Sequence, residues 1–290
     1  MKLLTYSLAD GRPRAGVLVS PALVFPAAAT RAYGACGEFD SVLDLLAPRE
    51  LDAVRQLLGQ PEDRWRAHCI PLDTVTLHAP IPRPPKILGV ATNYHDFCVR
   101  GGMEAPRTPK VFAKLVTTVV ADGEAVTIPV DGRVTYEGEL GVVIGRAGRQ
   151  ISAGAAETFV AGYTVVNDVT AGAYTAEDIQ LMRGKNIDTF CPMGPVLVTR
   201  DEIADAGNLR VATTVNGVAR QESSTANLIF GVAELIEYFS SFLTLERGDV
   251  IATGTPAGTA AQHDPPAYLQ PGDVVEVFVE GIGSLTNPIR

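Results

Sequence analysis

The stretch RVTYEGELGVVIG, residues 133–145, sets Glu137 and Glu139 two apart in a run that is otherwise β-branched, aromatic or aliphatic. In an extended strand, residues i and i+2 point to the same face, so the two carboxylates project together. Like charges that close repel, and one takes up a proton unless a cation sits between them. Asp168 follows a second apolar run, Phe159 to Val166, and is placed to supply a third oxygen. Hard cations such as Mg²⁺ prefer an all-oxygen setting of this kind. The competing explanation is the solvent face of an edge strand, where half-exposed strands alternate in the same way. Against it, Val142, Val143 and Ile144 are consecutive and apolar, which suits a strand buried on both faces.

The chain around this stretch has 290 residues, 46% of them hydrophobic. That is enough for a sizeable core and for one large domain beside a small one. The net charge of −9 and the absence of basic runs argue against an extended nucleic-acid or anionic-membrane surface. The opening MKLLTYSLADGR has too short an apolar stretch for a signal peptide, and Pro21 and Pro26 interrupt the best candidate membrane span. Cys36, Cys69, Cys98 and Cys191 are scattered without a CxxC pair and read as reduced thiols of a cytoplasmic protein.

In chain order, residues 2–8 and 15–19 read as strands joined at Asp10-Gly11. Ser41 caps a helical stretch that Pro48 interrupts or restarts, and Leu51, Val54, Leu57 and Leu58 form a helical stripe. A short strand is expected around Thr74–Leu77. The prolines at 80, 82, 84 and 85 then mark a stiff boundary, dividing a small N-terminal domain, 1–80, from a second domain, 81–290. Ile87–Ala91 reads as a strand, 93–109 as a polar loop of the kind that serves as a lid, and VFAK as a strand delivering Lys114. Asp122-Gly123 and Asp131-Gly132 read as turns, and Asn216-Gly217 between apolar runs predicts a hairpin. Leu228, Val232, Leu235, Ile236 and Phe239 predict one amphipathic helix. Many short strands with few helices make the fold mostly β, of α+β type. GTPAG at 254–258 lacks both the P-loop ending and the dinucleotide fingerprint.

Six segments together resemble the fumarylacetoacetate hydrolase family over most of residues 85–289. They are YEGELGVVIG, NDVTA, RGKNIDTFCPMGP, QESSTANLIF, LERGDVIATGTPAG and PGDVVEVFVEGIGSLTNP. The resemblance implies a mixed-β roll, commonly homodimeric, behind a small N-terminal α+β domain. It assigns Glu137, Glu139 and Asp168 to a metal, Mg²⁺ with Mn²⁺ or Ca²⁺ as substitutes. Lys185 becomes the substrate-binding and enolate-stabilising ammonium, with Thr255 and Gln221 as weaker donors to substrate oxygens. The implied reaction is hydrolytic cleavage of a C–C bond in a small acylpyruvate or β-diketo acid.

Two departures complicate that assignment. Short members of the family typically carry NYxDH followed three residues later by Glu, a pair thought to activate water. In NYHDFCVR, residues 93–100, those positions are Phe97 and Arg100, and neither accepts a proton at neutral pH. His95 lies two residues early and is the substitute base to test. Asp96 is a candidate fourth ligand, and Arg100 a candidate contact for a dicarboxylate substrate. After NDV, the family's Ser-Ala-Arg-Asp is replaced by Thr170-Ala171-Gly172-Ala173. Without the pair, water attack should suffer more than decarboxylation or enol–keto isomerisation of an oxaloacetate-like 2-oxo acid, because those need no attacking water. Decarboxylase, isomerase and a non-catalytic binding relative are therefore the alternatives to a hydrolase. His68 and His78 read as structural or surface residues, His263 as solvated, and Tyr163 as core.

Overall fold

The computed structural model describes residues 1–33, 39–129 and 133–290; Cys36 and the Asp131-Gly132 turn lie outside them. The central strand is Gly138–Ile144, with all seven residues buried. It pairs antiparallel with Val160–Asn167 on one side and with Val250–Ala252 on the other. An interior strand reads as a continuous apolar run because both faces are covered. Leu140, Val142 and Ile144 join one core, while Val143 joins a second on the opposite face.

From this strand the main sheet extends both ways. One direction runs through Val160–Asn167, Cys191–Thr199, Lys2–Ser7, Pro13–Ser20, Leu23–Pro26 and Ile70–Pro71. The other runs through Val250–Ala252 and Ile87–Ala91 to the edge strand Lys110–Lys114. A four-stranded antiparallel sheet of Val218–Ser224, Arg210–Val215, Val274–Val279 and Gly283–Pro288 contributes Val211, Val275, Val277 and Val279 to the core that holds Val142. The fold is therefore mostly β and of α+β type. The glycine between the two glutamates has a packing reason. A Cβ on Gly138 would lie 2.3 Å from Thr213 Oγ1 and 2.8 Å from Val277 Cγ1 of the second sheet.

Local chemistry set several elements as expected. Asn216 (φ 53°) and Gly217 (φ 75°) close the Arg210–Val215/Val218–Ser224 hairpin, the two positive φ values that a twisted two-residue turn requires. Pro48 opens the helix Pro48–Leu58 at its first turn, and Asp44 accepts the Ser41 N–H ahead of it at 2.9 Å. The amphipathic stretch forms the helix Val232–Phe242, with Leu235, Ile236 and Phe239 buried.

The boundary expected near residue 80 does not separate two sheets. Lys2–Ser7 pairs with Cys191–Thr199, and Pro80 is buried where its carbonyl accepts the Thr5 hydroxyl at 2.7 Å. The prolines stiffen a covered segment, and N-terminal side chains such as Val42 and Val54 share a core with Val143, Val166 and Val250. The segment expected as a lid from 93 to 109 is also different in its first half. Asn93 and Tyr94 are buried and lead into the helix His95–Arg100, and only the stretch beyond it is largely exposed. Among the described residues, no helix is long and apolar enough to cross a membrane.

Candidate metal and substrate site

The Glu139 carboxylate hangs from the central strand, and Glu137 immediately precedes that strand. Asn167, the last residue of the neighbouring strand, accepts the Glu137 N–H at 3.0 Å. The Glu137 carbonyl in turn accepts the Asp168 N–H at 2.9 Å. These two bonds lock the turns carrying Glu137 and Asp168 together. Oxygen atoms of Glu137, Glu139 and Asp168 lie within 4.8 Å of one another.

Two buried lysines meet this cluster. Lys185, from the short helix Met182–Lys185, donates to Glu137 Oε2 at 2.8 Å and to Asp168 Oδ2 at 2.5 Å. Lys114, at the end of the edge strand, donates to Asp168 Oδ1 at 2.7 Å and to the Lys185 carbonyl at 2.6 Å. The sequence of VFAK led to Lys114 as a strand residue but suggested no role for it. Burial would raise the Asp168 carboxyl, yet Lys114 and Lys185 outweigh it and hold Asp168 below the usual carboxylate range. Burial likewise works against charge on Lys185, but Asp168 and Glu137 hold its ammonium above the ordinary lysine range.

Glu139 differs. Its carboxylate is 1% exposed and accepts the Gly254 N–H at 2.8 Å, with no ammonium partner among the described residues. Burial, then the nearby Asp168 and Glu137, push it well above the usual range. Burial also lifts Glu137, although Lys185 opposes the shift. When all three carboxylates are ionised, the two ammoniums leave one buried negative charge without compensation, which a bound cation would supply. The donor set, three carboxylates converging from two adjacent strand ends, fits a hard divalent ion.

A pH dependence follows from these shifts. Glu137 and Glu139, with raised carboxyls, favour the fold while protonated, and that contribution is lost as pH rises through their lifted range. Asp168 acts oppositely, losing its contribution as pH falls below the ordinary carboxylate range. A divalent ion offsets the repulsion only where the glutamates are ionised. Its thermal stabilisation should therefore grow from acidic toward neutral pH, with proton release on binding. Melting curves with and without Mg²⁺ across that interval check this; a pH-independent shift contradicts it.

Beside the cluster lies a cavity of about 180 Å³. Its walls include Phe97, Glu137, Thr170, Lys185 and Thr255. Lys185 and Thr255, for which the family resemblance implies substrate contacts, both line it. Gln221 does not face this space with a free amide. Its Nε2 donates to Thr255 Oγ1 and the Pro256 carbonyl, and its Oε1 accepts from Gly138 N and Thr213 Oγ1. Two donors and two acceptor sites are all a carboxamide has, so Gln221 is saturated by bonds that fix Thr255 and Gly138.

The helix His95–Arg100 sends its residues in different directions. Phe97 lines the cavity. His95 is exposed and is not among the cavity walls. Arg100 is also exposed and donates through Nε to the Gln262 carbonyl at 3.1 Å, tying the helix to the 260s loop. Asp96 accepts from the Ser223 hydroxyl and, at 3.3 Å, from Ala257 N–H; it is not part of the three-carboxylate cluster. Asn93 anchors the segment by donating to the Phe230 and Thr253 carbonyls and accepting the Phe230 N–H. Of the remaining candidates, His263 is half-buried against the Gly258 carbonyl, 2.8 Å away, and is not simply solvated. Tyr163 is buried away from this cavity.

Residues 86–290 match the model of the fumarylacetoacetate hydrolase C-terminal domain, and the chain belongs to the fumarylacetoacetate hydrolase family. It is 44% identical over 235 residues to oxaloacetate tautomerase YisK of Bacillus subtilis, covering 79% of this chain and 78% of that protein. It is 39% identical to the mitochondrial oxaloacetate tautomerase Fahd2a of Rattus norvegicus, covering 76% and 71%. Among solved structures, the fumarylacetoacetate hydrolase of Exiguobacterium antarcticum aligns with a TM-score of 0.83 at 34% identity, covering 100% of this chain and 99% of that one. A maleylpyruvate hydrolase from Sphingobium sp. SYK-6, in complex with manganese(II) and pyruvate, aligns with a TM-score of 0.80 at 25% identity, covering 100% and 98%. Proteins with tautomerase and hydrolase names are thus among those this chain is similar to. The likeness supports an enzyme, a divalent metal and a small-molecule substrate, without singling out C–C hydrolysis.

Proposed function

We propose that this protein is a divalent-metal-dependent enol–keto tautomerase of a small 2-oxo dicarboxylic acid such as oxaloacetate, with Mg²⁺ as its working ion. The observation that carries the reading is the cavity wall at Phe97, where the water-activating histidine of family hydrolases was expected. Among the described residues, the only ionisable side chains lining the cavity are Glu137 and Lys185, and they are bonded to each other. Hydrolytic cleavage needs a base to deprotonate an attacking water, an effect typically worth about 10²–10⁴ in rate. Tautomerisation needs no attacking water: one proton leaves the substrate carbon to solvent or buffer, one is returned to its oxygen, and the enolate between them must be stabilised. The tautomerase names of two substantial relatives support the same choice. The C–C hydrolase that the family resemblance first implied is therefore set behind the isomerase alternative.

When bound, the ion would be held by Glu137, Glu139 and Asp168 and would supply Lewis-acid polarisation of the substrate's 2-oxo group. The chain's own groups do the rest. The Lys185 ammonium, kept protonated by its carboxylate neighbours, faces the cavity and stabilises negative charge on an enolate oxygen. The Thr255 hydroxyl is oriented by Gln221. Phe97 closes one wall with a ring that carries no base and leaves less room for water. Decarboxylation through the same enolate is the competing outcome.

His95 gives a direct test. Its exposure predicts that His95→Ala changes oxaloacetate tautomerisation by less than about twofold, within the range of ordinary surface substitutions. Steady-state rates on the purified variant measure this. A loss of tautomerisation of about 100-fold or more, the scale of a lost general base, would make His95 the base of the reaction and contradict its place outside the cavity.

A further inference from the structure

The outermost strand of the main sheet, Lys110–Lys114, pairs among the described residues only with Ile87–Ala91, and much of it is exposed. Its last residue is the exception, for the Lys114 side chain is 0% exposed. Burying an ammonium costs several kcal/mol unless it is paired and hydrogen-bonded. Here its partners are Asp168 Oδ1 and the main-chain carbonyl of Lys185, at 2.7 and 2.6 Å. The same junction has a second tie. The Asn186 side chain accepts the Leu115 N–H at 2.5 Å and donates to the Ala113 carbonyl at 3.1 Å. Phe112, two residues before Lys114 and therefore on its face of the strand, lies 4.8 Å beneath the Lys185 ammonium. One strand end thus holds a carboxylate and the backbone, flank and ring contact of a catalytic lysine.

We propose that Lys114 is a positioning residue of this site. It joins Asp168 and the main chain at Lys185 into one rigid unit, so that Asp168 keeps Oδ2 turned toward the other two carboxylates and Lys185 keeps its ammonium at the cavity. Lys114 is absent from the cavity walls, so it acts through its two partners. The activity arm of its test rests on the tautomerase reading; the binding arm does not.

The test uses Lys114→Met, which keeps length and removes charge, and Lys114→Gln, which keeps a donor. Titration calorimetry with Mg²⁺ or Mn²⁺ alone, without substrate, should show ion affinity reduced about 10–100-fold in both, the usual cost of losing an outer partner of a metal ligand. On oxaloacetate, Lys114→Met should lower kcat more than it changes KM. At saturating ion, the further loss of kcat in a Lys185→Met background should shrink below about threefold, because the ammonium that Lys114 positions is gone and its effect through Asp168 is read by ion affinity. Unchanged ion affinity in a folded variant, or full multiplicative losses in the double variant, overturns the proposal. Collapse of both single variants to unfolded protein also overturns it, making Lys114 a folding requirement. If wild-type protein turns over no 2-oxo acid, the tautomerase reading fails alone, and the ion titration still decides the role of Lys114.

Discussion

Glu137→Gln should weaken divalent-ion binding by at least about 100-fold while leaving the protein folded. The substitution keeps the shape of the side chain and removes one of three converging charges. Outer partners of metal ligands alone cost about 10–100-fold, so removal of a ligand charge sets that as the lower bound. The fold should survive because Glu137 holds its place mainly by main-chain bonds, its N–H to Asn167 and its carbonyl from Asp168, and these do not involve the carboxylate. Loss of the charge also leaves Lys185 with Asp168 as its carboxylate partner, so the ammonium is not stranded. Titration calorimetry of the variant with Mg²⁺ measures the effect, and wild-type affinity would remove Glu137 from the metal set.

Lys185→Met should separate binding of the ion from turnover. The ammonium bridges Glu137 and Asp168 and competes with a cation for the same oxygens, so ion affinity should be retained or should tighten. Tautomerisation should fall by about 10²–10³-fold, the loss typical of removing one preorganised group that stabilises a developing oxyanion. The fall should appear in kcat, because an interaction made mainly in the transition state lowers kcat and kcat/KM together. A variant with lost ion affinity and unchanged kcat would reverse both assignments.

How far these groups were legible in the sequence depended on how local their determinants are. The two glutamates were, because strand periodicity alone turns residues 137 and 139 to one side and the apolar run after them requires an interior strand. Asn216-Gly217 was, because the turn needs positive φ at two adjacent positions. Lys114 was not. Its partners, Asp168 and Lys185, stand 54 and 71 residues away, and nothing in VFAK distinguishes a buried ammonium from a solvated one. The saturation of Gln221 was hidden likewise, because three of its four partners, Gly138, Thr255 and Pro256, stand 83, 34 and 35 residues away. Gly101, Gly102, Pro106 and Pro109 crowd the segment beyond 95–100 and hide the short helix there. Asn93, by bonding to strand and loop carbonyls far along the chain, fixes where that helix starts. The start turns Phe97 inward and leaves His95 in solvent. Prolines normally mark linkers, and nothing in the sequence shows that Pro80 is buried with its carbonyl accepting the Thr5 hydroxyl.

Tautomerase and hydrolase activity are most directly told apart by comparing oxaloacetate and an acylpyruvate side by side with wild-type protein and Mg²⁺. Enol–keto interconversion is read by ultraviolet absorbance, and products are identified by mass spectrometry. Oxaloacetate should reach its tautomeric equilibrium faster by a factor proportional to protein concentration, chelation of the ion should abolish the effect, and the acylpyruvate should stay intact. Cleavage of the acylpyruvate without acceleration of tautomer exchange would contradict the tautomerase reading.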